Sequence, residues 1–351
     1  MKTNWNTFVC MVAVAIMAVS CTYHDGIVMD SIYINNVRFN ISEGGIPETK
    51  SQNVNYTESD SKCYVETIHD NALDNSTAFG IIGLGKESGS ILIDNQAVYN
   101  TDGARMAQLT VNAERDDNML ISAYYPYTGR IVYNQGGKYS VSFNSDDIQK
   151  GPMIADVYQG CRQLDEDIKL NFTSIISSIG FGVCDITRDE QLQGHIYVRQ
   201  VILHGMQLEG AYIYNGVDSH WAPQRRTKSV VVYDGCDSVM TGIENSRFMT
   251  DCRISDNMGD CNSINVIPEQ LSNGIQTVEV VFDVDSFEYS GTRYNGIREA
   301  SQTFSLSDLV PGSVLEQGCR YTCTLGLDLG LVYRTIEFAA SVADWNNVVM
   351  K

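Results

Sequence analysis

The feature that most limits what this chain can fold into is a two-residue hydrophobic period that recurs along it. Tyr139, Val141 and Phe143 alternate with Ser140 and Ser142, and Val278, Val280, Phe282 and Val284 alternate with Thr277, Glu279 and Asp283. Tyr321, Cys323, Leu325, Leu327 and Leu329 do the same, as do Ile336, Phe338, Ala340 and Val342. Side chains in a strand point to opposite faces in turn, so this pattern predicts half-buried strands. Turn-forming residues separate them, at Asn134–Gly137, Asn215-Gly216, Asp234-Gly235, Ser272–Gly274 and Pro311-Gly312. No stretch sustains a helical apolar period for more than a few turns. The expected class is all-β, and many short strands argue for sandwiches.

The first residues predict a secreted protein. Lys2 precedes an apolar run from Phe8 to Val19, followed by Ser20 and Cys21. The run is long enough for a signal-peptide core and too short to span a bilayer. Ala18-Val19-Ser20-Cys21 is similar to a lipoprotein box, with Ala18 where Leu is usual. Cys21 is thus the expected lipidation site, and residues 1–20 the expected signal peptide. No later apolar run reaches membrane-spanning length, so the expected membrane contact is through the lipid alone.

The chain has 351 residues and a formal charge of −19, and losing Lys2 with the leader leaves −20. Such acidity repels phosphate backbones, which excludes nucleic acid as a partner. About 330 mature residues suffice for two domains. The polar stretch Arg162–Asp167 places the expected boundary near residue 165, giving domains over 21–165 and 166–351.

Chemistry-bearing patterns are sparse. Gly80, Gly85 and Lys86 have phosphate-loop spacing, but Glu87 stands where Ser or Thr would hold magnesium, and strand-like Ile91-Leu92-Ile93 follows in place of a helix. A hairpin is expected there. His24, His69, His195, His204 and His220 form no metal-binding pair by spacing, and no nucleophile elbow occurs. Neither a catalytic residue nor a metal or other cofactor is expected, so the chain reads as a non-enzyme. The acidic segment Asp256–Asp260 lacks EF-hand spacing. Tyr124, Tyr125 and Tyr127, and Tyr212, Tyr214 and Trp221, have faces that could stack on sugars, but core packing is the favoured expectation. Eight cysteines remain after Cys10 and Cys21, and their spacing shows no disulfide framework. Cys319 and Cys323 lie on one face of one expected strand, roughly 13 Å apart, too far to bond to each other.

A family resemblance rests on ordered landmarks. They are Val37-Arg38-Phe39 before Glu48-Thr49-Lys50, then Phe79–Gly83, Ile121–Tyr127, Ile168–Phe172 with Ser178–Phe181, Ile264–Glu269, Leu315–Thr322 and Ser341–Trp345. In this order the chain resembles the fimbrillin family, type V pilin-like lipoproteins of Gram-negative gut and oral bacteria. The resemblance implies two transthyretin-like β-sandwich domains after the lipoprotein signal peptide. It implies a fimbrial structural or tip subunit at the outer membrane surface, supporting adhesion and assembling with other fimbrial subunits by donor-strand exchange. It places protease processing at Lys50, with Arg38 as second candidate; the donated strand stays open, with strands near the end such as Ile336–Val342 as one option. The alternative is a lipid-anchored monomeric surface protein that binds a glycan or host ligand.

Overall fold

A computed structural model describes residues 31–43, 62–68, 73–101, 104–112, 118–134, 138–160, 168–188, 192–214, 219–222, 226–239, 247–248 and 263–330. The architecture is built from short strands in several sheets, and the all-β sandwich expectation is borne out.

The first layer is a closed barrel. Around it run β1 (Ser31–Glu43), β10 (Ile168–Ser174), β9 (Met153–Gly160), β6 (Met119–Tyr125), β3 (Phe79–Gly85), β4 (Ile91–Thr101) and β5 (Ala104–Asn112). Two long strands turn its corners. β4 pairs antiparallel with β3 through Ile91–Val98 and then with β5 through Tyr99–Thr101. β1 pairs antiparallel with β5 from Ser31 to Arg38, then parallel with β10 from Phe39 to Glu43. Strands that switch sheets in this way close the ends of a sandwich. Inside lie Phe79, Ile81, Ile93, Leu109, Ile121, Ile168, Leu170 and Phe172 with their neighbours, all buried. The Gly80–Lys86 segment is β3 and the turn after it, paired with β4 and β6, so the hairpin expectation holds. A Cβ on Gly80 would run into the Tyr124 ring, which explains glycine at that position without any phosphate.

The second layer is a sandwich. One sheet holds β17 (Arg247–Phe248), β11 (Ser177–Asp185), β23 (Cys319–Leu327) and β2 (Lys62–Thr67), with β18 (Ile264–Val266) also on β11. The facing sheet runs β16 (Lys228–Ser238), β13 (Ile196–Met206), β19 (Thr277–Val284), β22 (Ile297–Ser305). The alternation of the sequence sets the inner faces. Ile179, Phe181, Val183, Cys323 and Leu325 from the first sheet share one core with Val201, Leu203, Val278, Val280 and Phe282 from the second. A small sheet of β12 (Leu192–Gln193), β20 (Phe287–Tyr289) and β21 (Thr292–Tyr294) stands beside them. The predicted turn at Asp234-Gly235 instead lies inside β16: Asp234 pairs with Gln200, and Gly235 falls in the bulge between that pair and the pair of Val198 with Asp237.

A third core joins the two layers. The sheet β7 (Ile131–Asn134), β8 (Lys138–Phe143), β14 (Gly210–Tyr214), β15 (His220–Trp221) joins a hairpin from before residue 165 to one from after it. Helix α1 (Ser145–Gln149) is capped by Asn144, whose side chain accepts from the Asp147 amide at 2.9 Å. From its last residue the Gln149 amide group donates to the Asn265 carbonyl at 2.8 Å and accepts from the Asn265 amide at 3.1 Å. The expected boundary near residue 165 lies outside the described residues. The sheets do not sort by sequence on either side of it: β10 joins the barrel, and β2 joins the C-terminal sandwich. Apolar inner faces on both strands suit either partner, and register decides.

Candidate functional site

The N-terminal strand is the feature of the fold with the clearest functional consequence. β1 is the strand that closes the barrel, lying between β5 and β10. Its side chains alternate: Val37 and Phe39 are buried at 2% and 4% exposure, and Arg38 between them faces solvent. The Phe39 ring meets Phe79 edge-on at 5.7 Å, and Phe79 meets Phe172 in the same way at 5.6 Å. The guanidinium of Arg105 sits 5.7 Å from the centre of the Phe79 ring and donates to the Leu73 and Asp74 carbonyls at 3.3 Å. Phe39 is thus the plug of a slot made by Phe79 and Phe172. Removing β1 would open that slot together with two strand edges, residues 106–112 of β5 and 168–172 of β10. Unpaired edges beside an apolar groove are the requirement for accepting a strand from elsewhere.

Of the residues singled out in the sequence, Arg38 lies in mid-strand, paired in register with Met106. A protease must bind an extended, unpaired backbone, so the bond after Arg38 becomes a substrate only when β1 leaves the ladder. Cys21, Lys50 and the strand-like run Ile336–Val342 lie outside the described residues, as do His24, His69 and Asp256–Asp260. The tyrosine clusters are core. Tyr124 and Tyr125 are 0% and 2% exposed, and Tyr212 and Tyr214 are buried. Phe143 packs edge-on against Tyr124 at 6.2 Å and against Trp221 at 5.8 Å, and Tyr139 stacks on Tyr214 at 4.9 Å. Core packing thus accounts for Tyr124, Tyr125, Tyr212 and Tyr214, while Tyr127 and Trp221 are partly buried against the same core as Tyr124 and Tyr212.

A second surface feature was not anticipated from the sequence. On the outer face of the β16-β13-β19-β22 sheet is an open groove of about 700 Å3 lined by Arg199, Asp234, Glu279, Asp283, Arg298 and neighbouring residues. At its centre the carboxylate of Asp283, 2% exposed, accepts from Arg199 at 3.0 Å, Arg298 at 2.9 Å and the Glu299 amide at 2.9 Å. Burial works to raise its pKa, but the Glu299 amide and the two guanidiniums outweigh burial and hold it below the usual aspartate range. Along the same face, His204 pairs with Glu279 at 3.1 Å and with Ser229 at 2.8 Å. In the sequence Asp283 is only a polar position in an alternating strand. Nothing local marks it as the acceptor for two arginines from neighbouring strands.

The Asp283 cluster predicts a particular acid sensitivity. A carboxyl whose folded pKa lies below its unfolded value stabilises the fold above the ordinary aspartate range, about pH 4, and loses that contribution as pH falls through the folded value. Asp283→Asn should cost roughly 1.5–3 kcal/mol at pH 7, the range for hydrogen bonds to charged groups. Urea unfolding at pH 7 and pH 3 checks it: the gap between variant and parent should narrow at pH 3. An equal gap at both values would rule out the ionised carboxylate as its source.

Among the described residues no group of His, Cys, Asp and Glu side chains is arranged to hold a metal ion. No helix among them is long and apolar enough to cross a membrane.

No protein-family model matches the sequence, and no curated protein matches it. Solved structures do. A fimbrial protein from Bacteroides vulgatus matches over 85% of this chain and 96% of its own, with a TM-score of 0.52 at 12% identity. A candidate cell adhesion protein from Bacteroides uniformis matches over 76% and 93%, at TM-score 0.42 and 15% identity. One from Parabacteroides distasonis matches over 85% and 88%, at TM-score 0.46 and 10% identity. The first of these carries the comparison, and at such identity it speaks to fold. This chain has the fold of a fimbrial protein, and in that respect the resemblance to fimbrillins is borne out.

Proposed function

We propose that the protein is a fimbrial structural or tip subunit that assembles by donor-strand exchange at the cell surface and supports adhesion. The observation that carries this reading is the position of β1: it closes the barrel, with its own apolar plug, between edges of β5 and β10 that, among the described residues, pair there with β1 alone. Proteolysis in the segment after it, at Lys50 or after release at Arg38, would free the strand. A strand from a neighbouring subunit would then restore both ladders and refill the slot at Phe79 and Phe172. The fold shared with a fimbrial protein from Bacteroides vulgatus supports the same reading. In this scheme Cys21 carries the lipid that holds the precursor at the outer membrane, residues 1–20 are its signal peptide, and the two β-rich halves are two domains of one structural subunit without catalysis.

The test is N-terminal sequencing of the protein taken from the surface of its native cells, with its size on a non-denaturing gel. A start at Ser51 or Phe39 together with a ladder of oligomers is the expected result. A lipid-blocked Cys21 with a single monomeric band would refute polymerisation and leave an anchored tip, anchor or binding protein.

A further inference from the structure

The strand β2 contributes a thiol that, among the described residues, stands directly opposite a second thiol. β2 and β23 are antiparallel, and Cys63 stands directly opposite Cys323, with Lys62 opposite Thr324 and Tyr64 opposite Thr322. Directly opposed residues of an antiparallel pair have Cα atoms about 4.5 or 5.5 Å apart, within the span that a disulfide bridges. Both side chains point into the same core, at 2% and 0% exposure. Their sulfurs approach to 2.6 Å, whereas Cys184 Sγ meets the Leu325 carbonyl at 3.8 Å. The other described cysteines are not so placed: Cys319 faces Thr67, Cys184 faces Gly326, and Cys236 is exposed on β16. No water or polar partner is needed at this spot, because a disulfide is an apolar group that suits the surrounding core.

We propose that Cys63 and Cys323 form a cross-strand disulfide that staples β2 to the C-terminal sandwich. The oxidant is a disulfide of the secretory compartment, of a dithiol oxidoreductase or of oxidised glutathione. The thiolate of one cysteine attacks that disulfide before β2 docks, since the docked sulfurs are shielded. This gives a mixed disulfide and releases one oxidant thiol. The second cysteine then displaces the other, so two cysteine thiols lose two electrons and two protons, and the oxidant gains them as two thiols. The bond closes a loop spanning a sequence separation of 260 residues. It ties the start of the chain after residues 44–61 to its C-terminal sheet. If the strand-exchange reading above holds, loss of β1 then stops at a covalent anchor and cannot draw β2 away. The bond itself does not depend on that reading.

Tryptic digestion reads the linkage without ambiguity, because Arg320 lies between Cys319 and Cys323. The full chain is refolded in a mixture of reduced and oxidised glutathione, alkylated in denaturant without reductant, and digested. Expected is a joined pair of peptides, residues 63–86 with residues 321–334, that separates on reduction. The thermal midpoint of the oxidised chain should exceed that of the reduced chain by about 5–10 °C, and Cys323→Ala should abolish that difference and leave Cys63 alkylated. Recovery of both peptides with each cysteine alkylated, or joining of Cys63 to the peptide carrying Cys319, would overturn the assignment. Neither result bears on whether β1 is exchanged.

Discussion

A chain beginning at Ser51, and so lacking β1, should no longer persist as a stable monomer. Burying Val37 and Phe39 contributes roughly 1.5–3 kcal/mol each, and the ladders to β5 and β10 add to this. Those terms together are comparable with the whole stability of a typical domain, about 5–15 kcal/mol. The opened slot exposes Phe79 and Phe172 beside two bare edges, a surface that seeks a strand. The expected result is oligomer formation on size exclusion and a lowered melting midpoint. A synthetic peptide of residues 31–43 should reverse both when added in excess, by mass action on the complete state. A truncated chain that stays monomeric with an unchanged midpoint would remove the physical basis for strand exchange. Processing in cells could then still occur, but without the consequence proposed for it.

The second large effect is expected at Phe79. Its ring is fully buried and is the common neighbour of Phe39, Phe172 and the Arg105 guanidinium. Phe79→Ala should cost about 3–5 kcal/mol, the usual range for deleting a buried aromatic ring. Part of this loss falls on the grip that the barrel has on β1, since the edge-on contact with Phe39 alone is worth about 0.5–1.5 kcal/mol. Arg38 offers a reporter: trypsin cuts after it only when β1 is out of its ladder. Cleavage there should accelerate in Phe79→Ala. Leu325→Ala, in the core of the other sandwich, should lower stability by about 2–5 kcal/mol without a matching rise in cleavage at Arg38. Equal acceleration in both variants would mean that β1 opens only by global unfolding, and the slot would then have no special hold on it.

The division between what was legible in the residues and what was not follows the range of the interactions. Alternation is a local property, so Tyr139–Phe143, Val278–Val284 and Tyr321–Leu327 could be read as strands, with their inner faces assigned, from neighbours in the chain alone. The phosphate-loop spacing at Gly80–Lys86 is answered locally too, because the residues after it lack a helical period. Core packing, expected for Tyr124 from its sequence neighbours, agrees with its ring contact to Phe143.

Partner choice is a different matter, because an apolar face fits many others and only register distinguishes them. Nothing in Ile168–Ser174 says that it completes a barrel with Ser31–Glu43, which lies more than a hundred residues earlier. Nothing in Lys62–Thr67 says that it pairs with Cys319–Thr324, so the opposition of Cys63 and Cys323 was invisible in cysteine spacing. The two arginines on Asp283 come from β13 and β22, and only the sheet brings them to one carboxylate. The sequence by itself determined the strand class and the inward faces, since the pleat converts a two-residue period directly into burial. Tertiary structure alone decided which strand closes the barrel, which thiols meet and where charge gathers, since those depend on contacts between segments that the chain order keeps apart.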